Sequence, residues 1–310
     1  MPAVPDISVV VPSYNARSTI ESCLDALVGQ DFSGDYEIVV VDSSGDGTAE
    51  LVARRFPQVL LIRSPERRFP GDARNLGVAA SRGRVLAFTD ADCIVPSDWL
   101  ERIAAAHAAG HVLVGGALIG AGSAGYPRRA YHLAAFSTWL PESAAGPASQ
   151  LASGCLSVER RVFEECGGFR EGTLSSDTAF SWQAARRGYT PFFEPSLTIL
   201  HIGSERRLGR MLARRFANGR AFAELRAEDE QFGHARALVF AAVAPLFPAL
   251  LFFRLVLAAR RQRLKLLLLA PLVLLNIAMW SLGECAGYAR WAARSRDATS
   301  RAAGLDVANG

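Results

Sequence analysis

Residues 85–98 read VLAFTDADCIVPSD, and the chain's organisation unfolds outward from them. Val85–Thr89 is a short apolar run, the pattern of a parallel strand buried on both faces. It leads straight into Asp90-Ala91-Asp92. Two carboxylates at i and i+2 on a strand-exit turn can face one hard cation. Mg²⁺ or Mn²⁺ held that way keeps positions open for diphosphate oxygens. The same spacing also arises in solvated turns and helix caps; here the buried strand in front of it favours the metal.

The preceding sequence repeats the strand-then-polar pattern. Ile7–Val11 is a β-branched run closed by Pro12, followed by a helix pattern over Ser18–Leu27. Glu37–Val41 is a second buried strand, ending at Asp42 and the turn-rich stretch Ser43–Thr48. A helix over Ala49–Arg55, a strand at Val59–Ile62 and a helix over Asp72–Ser81 complete the series. This alternation predicts a doubly wound, mainly parallel α/β sheet. Ligands bind such sheets at the carboxyl ends of the strands, which is where Ser13-Tyr14-Asn15, Asp42 and Asp90/Asp92 fall. Asp42 can accept from a base N–H or a ribose hydroxyl there, or serve as an Asx-turn or N-cap. Ser43–Thr48 lacks the spacing of a dinucleotide site or a P-loop.

Further on, Val112–Ser153 is rich in Gly, Ala and Ser; it reads as a strand near Val112–Gly115, then a helix and a long loop forming an acceptor wall or lid. Leu156–Val158 and Phe192–Glu194 are strand candidates, with a helix near Asp177–Arg187 between them. The five cysteines are scattered, with no CxxC pair, which argues against a zinc site or a disulfide framework. The first residues show no basic segment leading into a long apolar one, so no secretory signal is expected.

Four blocks, ISVVVPSYNARSTIESCLDAL, YEIVVVDSSGDGTAELV, PGDARNLGVAASRGRVLAFTDADCIVPSDWL and CGGFRE…SSDTAFSWQAARRGY, resemble glycosyltransferase family 2 in their order, over about residues 6–205. The resemblance implies the GT-A fold and inverting sugar transfer. It places Pro12, Ser13, Tyr14 and Asn15 beneath the base and ribose of a nucleotide sugar. Asp42 would bind the base, usually uracil. Arg74 would lie near the diphosphate or sugar, Asp90 near the ribose and donor sugar, and Asp92 would be the principal metal ligand. Asp177 falls where the family keeps its general base, although Ser176 replaces the acid that usually precedes it; a helix N-cap is the plainer role for Asp177. His201, in LTILHIGSE, sits where relatives carry a histidine near the diphosphate or metal. The processive-synthase signature QxxRW is not evident.

The last third differs in kind. Residues 1–200 hold 17 basic against 22 acidic residues, whereas residues 201–310 hold 17 against 8. Leu238–Ala259 and Leu266–Tyr288 are two apolar segments, separated by Arg260-Arg261-Gln262-Arg263-Leu264-Lys265. Each is long enough to cross a hydrocarbon core of about 30 Å. Pro245, Pro248, Pro271 and Arg254 disturb simple spans, and a basic connecting loop on the far side breaks the positive-inside rule. A hairpin dipping into one leaflet is the alternative. Basic, apolar sequence of this kind suits anionic lipid rather than nucleic acid.

The expected domains are therefore a GT-A catalytic domain at 1–205 and a basic amphipathic linker helix at 206–236. Two membrane-spanning or membrane-embedded helices at 237–290 and a flexible tail at 291–310 complete the chain. The expected activity moves a sugar, from a UDP-sugar by preference, to a hydroxyl of a lipid-linked or membrane-associated glycan acceptor. It would need Mg²⁺ or Mn²⁺ and work at a bacterial-type inner membrane with the catalytic domain cytoplasmic. The alternatives are a polyprenyl-phosphate glycosyltransferase, whose acceptor phosphate needs no base, and a non-catalytic membrane scaffold.

Overall fold

Valine dominates the first strands because a strand covered on both faces has no solvent side to hold polar residues. In the computed structural model, which describes residues 4–121, 125–203, 205, 207–258 and 263–308, β1 (Ile7–Ser13), β2 (Tyr36–Asp42), β3 (Leu60–Arg63) and β4 (Val85–Thr89) pair in parallel in the order β3-β2-β1-β4. Val9, Val10, Val11, Val39, Val40, Val41, Leu86, Ala87 and Phe88 are fully buried. The crossovers are α1 (Ile20–Val28), α2 (Thr48–Arg55) and α3 (Pro70–Ala80). Proline opens α3, where its missing N–H costs nothing.

Beyond β4 the sheet changes character. It continues through β8 (Cys155–Glu159), β6 (Leu113–Gly120), β9 (Phe192–His201) and β5 (Cys93–Ile94), and β7 (Gly146–Pro147) adds to β9. All its antiparallel pairs lie in this half: β4 with β8, β8 with β6, and β5 and β7 with β9. The α/β sheet expected from the sequence is thus present, with a parallel half and a mixed half. Helices α4 (Trp99–Ala108), α6 (Arg160–Glu165) and α7 (Ser176–Arg186) cover the mixed half. Phe88, Phe163, Phe169 and Phe180 form an aromatic cluster with centroids 5.0–5.7 Å apart.

The chain divides into two compact units. Unit 1 comprises residues 1–124 and 138–204; unit 2 comprises 125–137 and 205–310. Residues 125–137, read as part of the catalytic domain, contribute α5 (Tyr126–Phe136) to unit 2. The remaining helices of unit 2 are α8 (Leu208–Asp229), α9 (His234–Val243), a 3₁₀ turn at Ala244–Leu246, α10 (Phe247–Ala258) and α11 (Arg263–Ala308). The basic stretch expected as a linker is α8, which is packed rather than free. The expected tail at 291–310 continues α11 as far as Ala308. Arg260-Arg261-Gln262, in the loop between the apolar segments, lie outside the described residues.

In unit 2, α8 and α11 meet backbone to backbone. A methyl group added at Gly219 would stand 2.2 Å from the Trp280 carbonyl, and one at Gly283 2.1 Å from the Phe216 carbonyl. Only glycine permits this approach, which resembles the small-residue contacts of membrane helices. Two stretches are long and apolar enough to cross a membrane: His234–Leu257 and Leu266–Arg296, each with a mean hydropathy of 2.1.

Candidate active site

The strand ends set the site. Ser13 pairs with Asp42, and Asp42 with Arg63, so β1 and β2 finish level and present their last residues together. Asp42 is buried and accepts the Ser44 amide (3.2 Å) and the Ser44 hydroxyl (2.7 Å). That is the Asx-turn alternative for Asp42 made real. Two bonds leave this carboxylate further acceptor capacity for a ligand. Asn15 takes a left-handed conformation (φ 52°), which asparagine tolerates. Its amide donates to the same Ser44 hydroxyl oxygen at 2.7 Å, tying the β1 exit to the β2 exit. Pro12 is half-buried, while Tyr14 is exposed with the Arg67 guanidinium 4.5 Å above its ring.

Asp90 and Asp92 follow β4 in a turn closed by the Cys93 amide on the Asp90 carbonyl. The β5–β9 ladder then places His201 opposite Cys93, and the Ile202 amide donates to the Asp92 carbonyl at 2.9 Å. Consequently His201 Nε2 stands 3.6 Å from Asp92 Oδ2, with both side chains about four-fifths buried. The two carboxylates and Cys93 Sγ lie within 4.8 Å of one another. Burial and the charges of Asp92 and Asp90 push the Cys93 thiol well above its ordinary range. Cys23, whose thiol donates to the Asp90 carbonyl at 3.5 Å, is raised by the same causes. The two carboxylates, with the His201 imidazole beside Asp92, offer donors that suit a hard or borderline divalent cation.

Arg74 does not reach outward. Its side chain is only 3% exposed and pairs with Asp90 Oδ1 at 2.5 Å, above the Phe169 ring. In this arrangement its guanidinium is held against the Asp90 carboxylate.

Asp177 opens α7 after Ser175, which is left-handed at φ 59°. Its Oδ2 accepts both the amide and the hydroxyl of Ser153, each at 3.0 Å, and its Oδ1 accepts the Thr178 amide at 2.9 Å. The Ser176 that departs from the family pattern is buried against Gly71 of α3. A methyl at Gly71 would stand 2.6 Å from the Ser176 hydroxyl, so a longer acid has no room there. The next residue after Ser153 faces the Asp90 carboxylate: a methyl added at Gly154 would be 3.3 Å from Asp90 Oδ2. The segment is itself pinned by the Leu151 amide on the Ser181 hydroxyl at 3.1 Å.

The structure thus brings Asp90 and Asp92 together, sets His201 beside Asp92, and holds Asp177 by Ser153, whose neighbour Gly154 faces Asp90. Asp42, Pro12, Tyr14 and Asn15 gather at the neighbouring strand ends. Ser153, Gly154 and Arg67 were not read as site residues from the sequence, and no local spacing marks them. Their partners lie 24 or more residues away.

A family description, Glycosyl transferase family 2, matches residues 8–167. Glycosyltransferase AglE of Haloferax volcanii is 30% identical over 228 residues, covering 70% of this chain and 73% of AglE. Succinoglycan biosynthesis protein ExoO of Rhizobium meliloti is 42% identical over 101 residues, 32% of this chain and 29% of that protein. Among solved structures, a mannosyltransferase of Pyrobaculum calidifontis in complex with GDP-Man and Mn²⁺ superposes with a TM-score of 0.65 at 24% identity, over 94% of this chain and 88% of its own. Residues 1–349 of Staphylococcus aureus TarS in complex with UDP-GlcNAc give 0.51 at 18% identity, over 90% of each chain. At these identities the structural matches speak for the GT-A fold, and the sequence matches for the lineage. The chain belongs to glycosyl transferase family 2 and is a glycosyltransferase.

Proposed function

We propose that the enzyme is inverting and moves a sugar from a nucleoside-diphosphate sugar, a UDP-sugar in first place, to a hydroxyl of a lipid-linked or membrane-associated acceptor. The observation that carries this reading is the pair of Ser153 donors that fix the Asp177 carboxylate, in a segment whose next residue, Gly154, faces Asp90. The solved neighbours are complexes with GDP-Man and UDP-GlcNAc, which supports a nucleotide-sugar donor.

In this reading the β1 exit, with Pro12, Tyr14 and Asn15, lies under the base and ribose, and Asp42 accepts from the base. Arg74 holds Asp90 in place. Asp90 and Asp92, with His201 beside Asp92, would hold Mg²⁺ or Mn²⁺, which would supply positive charge to the departing nucleoside diphosphate. Asp177 has one oxygen committed to both Ser153 donors; Oδ1, with a single bond from Thr178, keeps a lone pair free. That oxygen takes the proton of the acceptor hydroxyl as the hydroxyl oxygen bonds to the anomeric carbon. The bond from that carbon to the diphosphate breaks on the opposite face, and its electron pair leaves with the nucleotide. The configuration is inverted. The apolar helices of unit 2 keep this chemistry at a membrane, with the catalytic unit cytoplasmic. The name of ExoO, a protein of succinoglycan biosynthesis, is in keeping with an envelope or exported glycan.

Asp177→Asn tests the base. Loss of about 10²–10⁴ in kcat, with donor affinity retained, is the expected result. Near-normal transfer by the variant would contradict the hydroxyl-acceptor reading and point to an acceptor phosphate that needs no base.

A further inference from the structure

We propose that unit 2 is a monotopic anchor: its apolar face sinks into one anionic leaflet while α5 and α8 stay at the headgroups, so that neither apolar segment crosses the bilayer. This deepens the membrane-acceptor reading above and rests on it for the function of the anchor, not for its geometry.

Length alone does not decide the matter. The outward leucines of α11, Leu264, Leu267, Leu268, Leu274, Leu275 and Leu282, form one stripe of about 27 Å at 1.5 Å per residue. That is close to a hydrocarbon core of about 30 Å. What decides is the company α11 keeps on its other face. Ala130 and Leu133 of α5 pack on Leu266, Leu269, Val273 and Ile277. The Tyr126 hydroxyl donates to the Leu268 carbonyl, and Arg215 of α8 donates to the Ala134 carbonyl while its guanidinium lies 4.6 Å over the Trp280 ring. From there α8 takes over, with Gly219 against Trp280 and Phe216 against Gly283. The stretch that would have to cross is therefore accompanied throughout by α5 and then α8.

Those companions are not membrane helices. α5 carries Arg128 and an exposed Arg129, and α8 carries Arg210, Arg214, Arg220 and Arg226. If the leucine stripe spanned, α5 would be dragged into hydrocarbon with its arginines, a costly placement. Laid along a surface, the same unit can sink its leucine stripe while α5 and α8 keep their arginines at the headgroups, as interfacial helices do.

The other apolar segment carries its own obstacle to spanning. The stretch His234–Leu257 is interrupted by the 3₁₀ turn at Ala244–Leu246, and α10 alone has 12 residues, about 18 Å. Leu246, Leu250, Phe253 and Leu257 are exposed together on it, with Arg254 exposed among them. Arg260, Arg261, Arg263 and Lys265 follow in sequence. In a spanning hairpin these charges would sit on the far side of the membrane; in a monotopic one they stay with the catalytic unit and meet anionic headgroups.

The experiment is cysteine labelling of the full-length protein bound to sealed vesicles of phosphatidylcholine with about a third phosphatidylglycerol. Cys285, the one natural cysteine that is not buried, is first replaced by alanine. Gln262→Cys then reports on the connection between the apolar segments, and Ser33→Cys, on an exposed loop of unit 1, marks the side of the catalytic unit. The expected result is that a membrane-impermeant maleimide labels both positions from the same side before detergent is added. Labelling of Gln262→Cys only after permeabilisation, with Ser33→Cys labelled before it, overturns the proposal in favour of two spans. Failure to float with the vesicles at all overturns it as well. Labelling needs no turnover, so an enzyme that transfers no sugar yet labels on one side would break the functional reading and leave the anchor standing.

Discussion

The sheet of unit 1 and the helices of unit 2 are both built on apolar side chains, but they leave opposite surfaces. In unit 1 the exposed large apolar residues are scattered, among them Val28, Leu60 and Ile119, which is ordinary for a protein in water. In unit 2 they form continuous stripes, from Leu238 to Leu257 and from Leu264 to Leu282. The cores differ too: unit 1 packs valine and phenylalanine between sheet and helix, whereas unit 2 relies on glycine and alanine contacts between α8, α9 and α11. In the reading proposed above, the chemistry sits in the first unit, where aspartates can be held by directed hydrogen bonds, and the apolar stripes of the second set where that chemistry happens.

The largest way to break this division is at the metal carboxylates. Asp92→Ala should lower kcat/KM on the order of 10³-fold, the scale of removing a principal electrostatic contact, while thermal unfolding of unit 1 is little changed. Activity within tenfold of the parent would remove Asp92 from the site. Next comes the strut between the two carboxylates. Ser153→Ala keeps the backbone amide on Asp177 but loses the hydroxyl, and about a tenfold fall in kcat is expected, the lower end of what orienting partners contribute. Ser153→Thr should restore it. A loss in Ser153→Ala that threonine does not rescue would mean the segment matters only for folding.

Gly283→Leu addresses unit 2 alone. The side chain collides with the Phe216 carbonyl, and overpacking of this kind costs about 1–3 kcal/mol. Transfer to a membrane acceptor should fall while donor hydrolysis persists; equal loss of both would deny the division of labour. The smallest effect expected concerns His107, whose Nε2 is 3.0 Å from the Ser157 hydroxyl. Burial, with a smaller push from His111, brings its pKa down to about 4. The unfolded chain therefore binds a proton from about pH 6.5 downward, before the folded one does, and stability falls as the pH drops from there towards 4. His107→Gln should flatten that slope in denaturant titrations; an unchanged slope would show that another group carries it.

Much of this was legible in the sequence, for identifiable reasons. The β-branched runs at residues 7–11, 37–41 and 85–89 can only be buried strands, and the acids that end two of them fall at the ligand edge of the sheet. The mixed half was less legible because its pairings are long-range: β8 inserts beside β4 from nearly seventy residues away, a distance no periodicity reports. The same holds for Ser153, which is marked only by Asp177 across the fold. The loss of α5 to unit 2 was invisible because Gly- and Ala-rich sequence gives little sign of which core it joins. The pairing of Arg74 with Asp90 over the Phe169 ring is likewise a contact across the fold that its motif does not spell out.

The central claim is that Asp90 and Asp92 form a metal-dependent nucleotide-sugar site in unit 1. It is tested most directly by offering the purified enzyme a panel of nucleoside-diphosphate sugars with Mn²⁺ or Mg²⁺ and following nucleotide release, with and without chelator, for the parent and Asp92→Ala. The account predicts turnover of at least one donor that chelation abolishes and that Asp92→Ala lacks. Turnover indifferent to both the chelator and the substitution would contradict it.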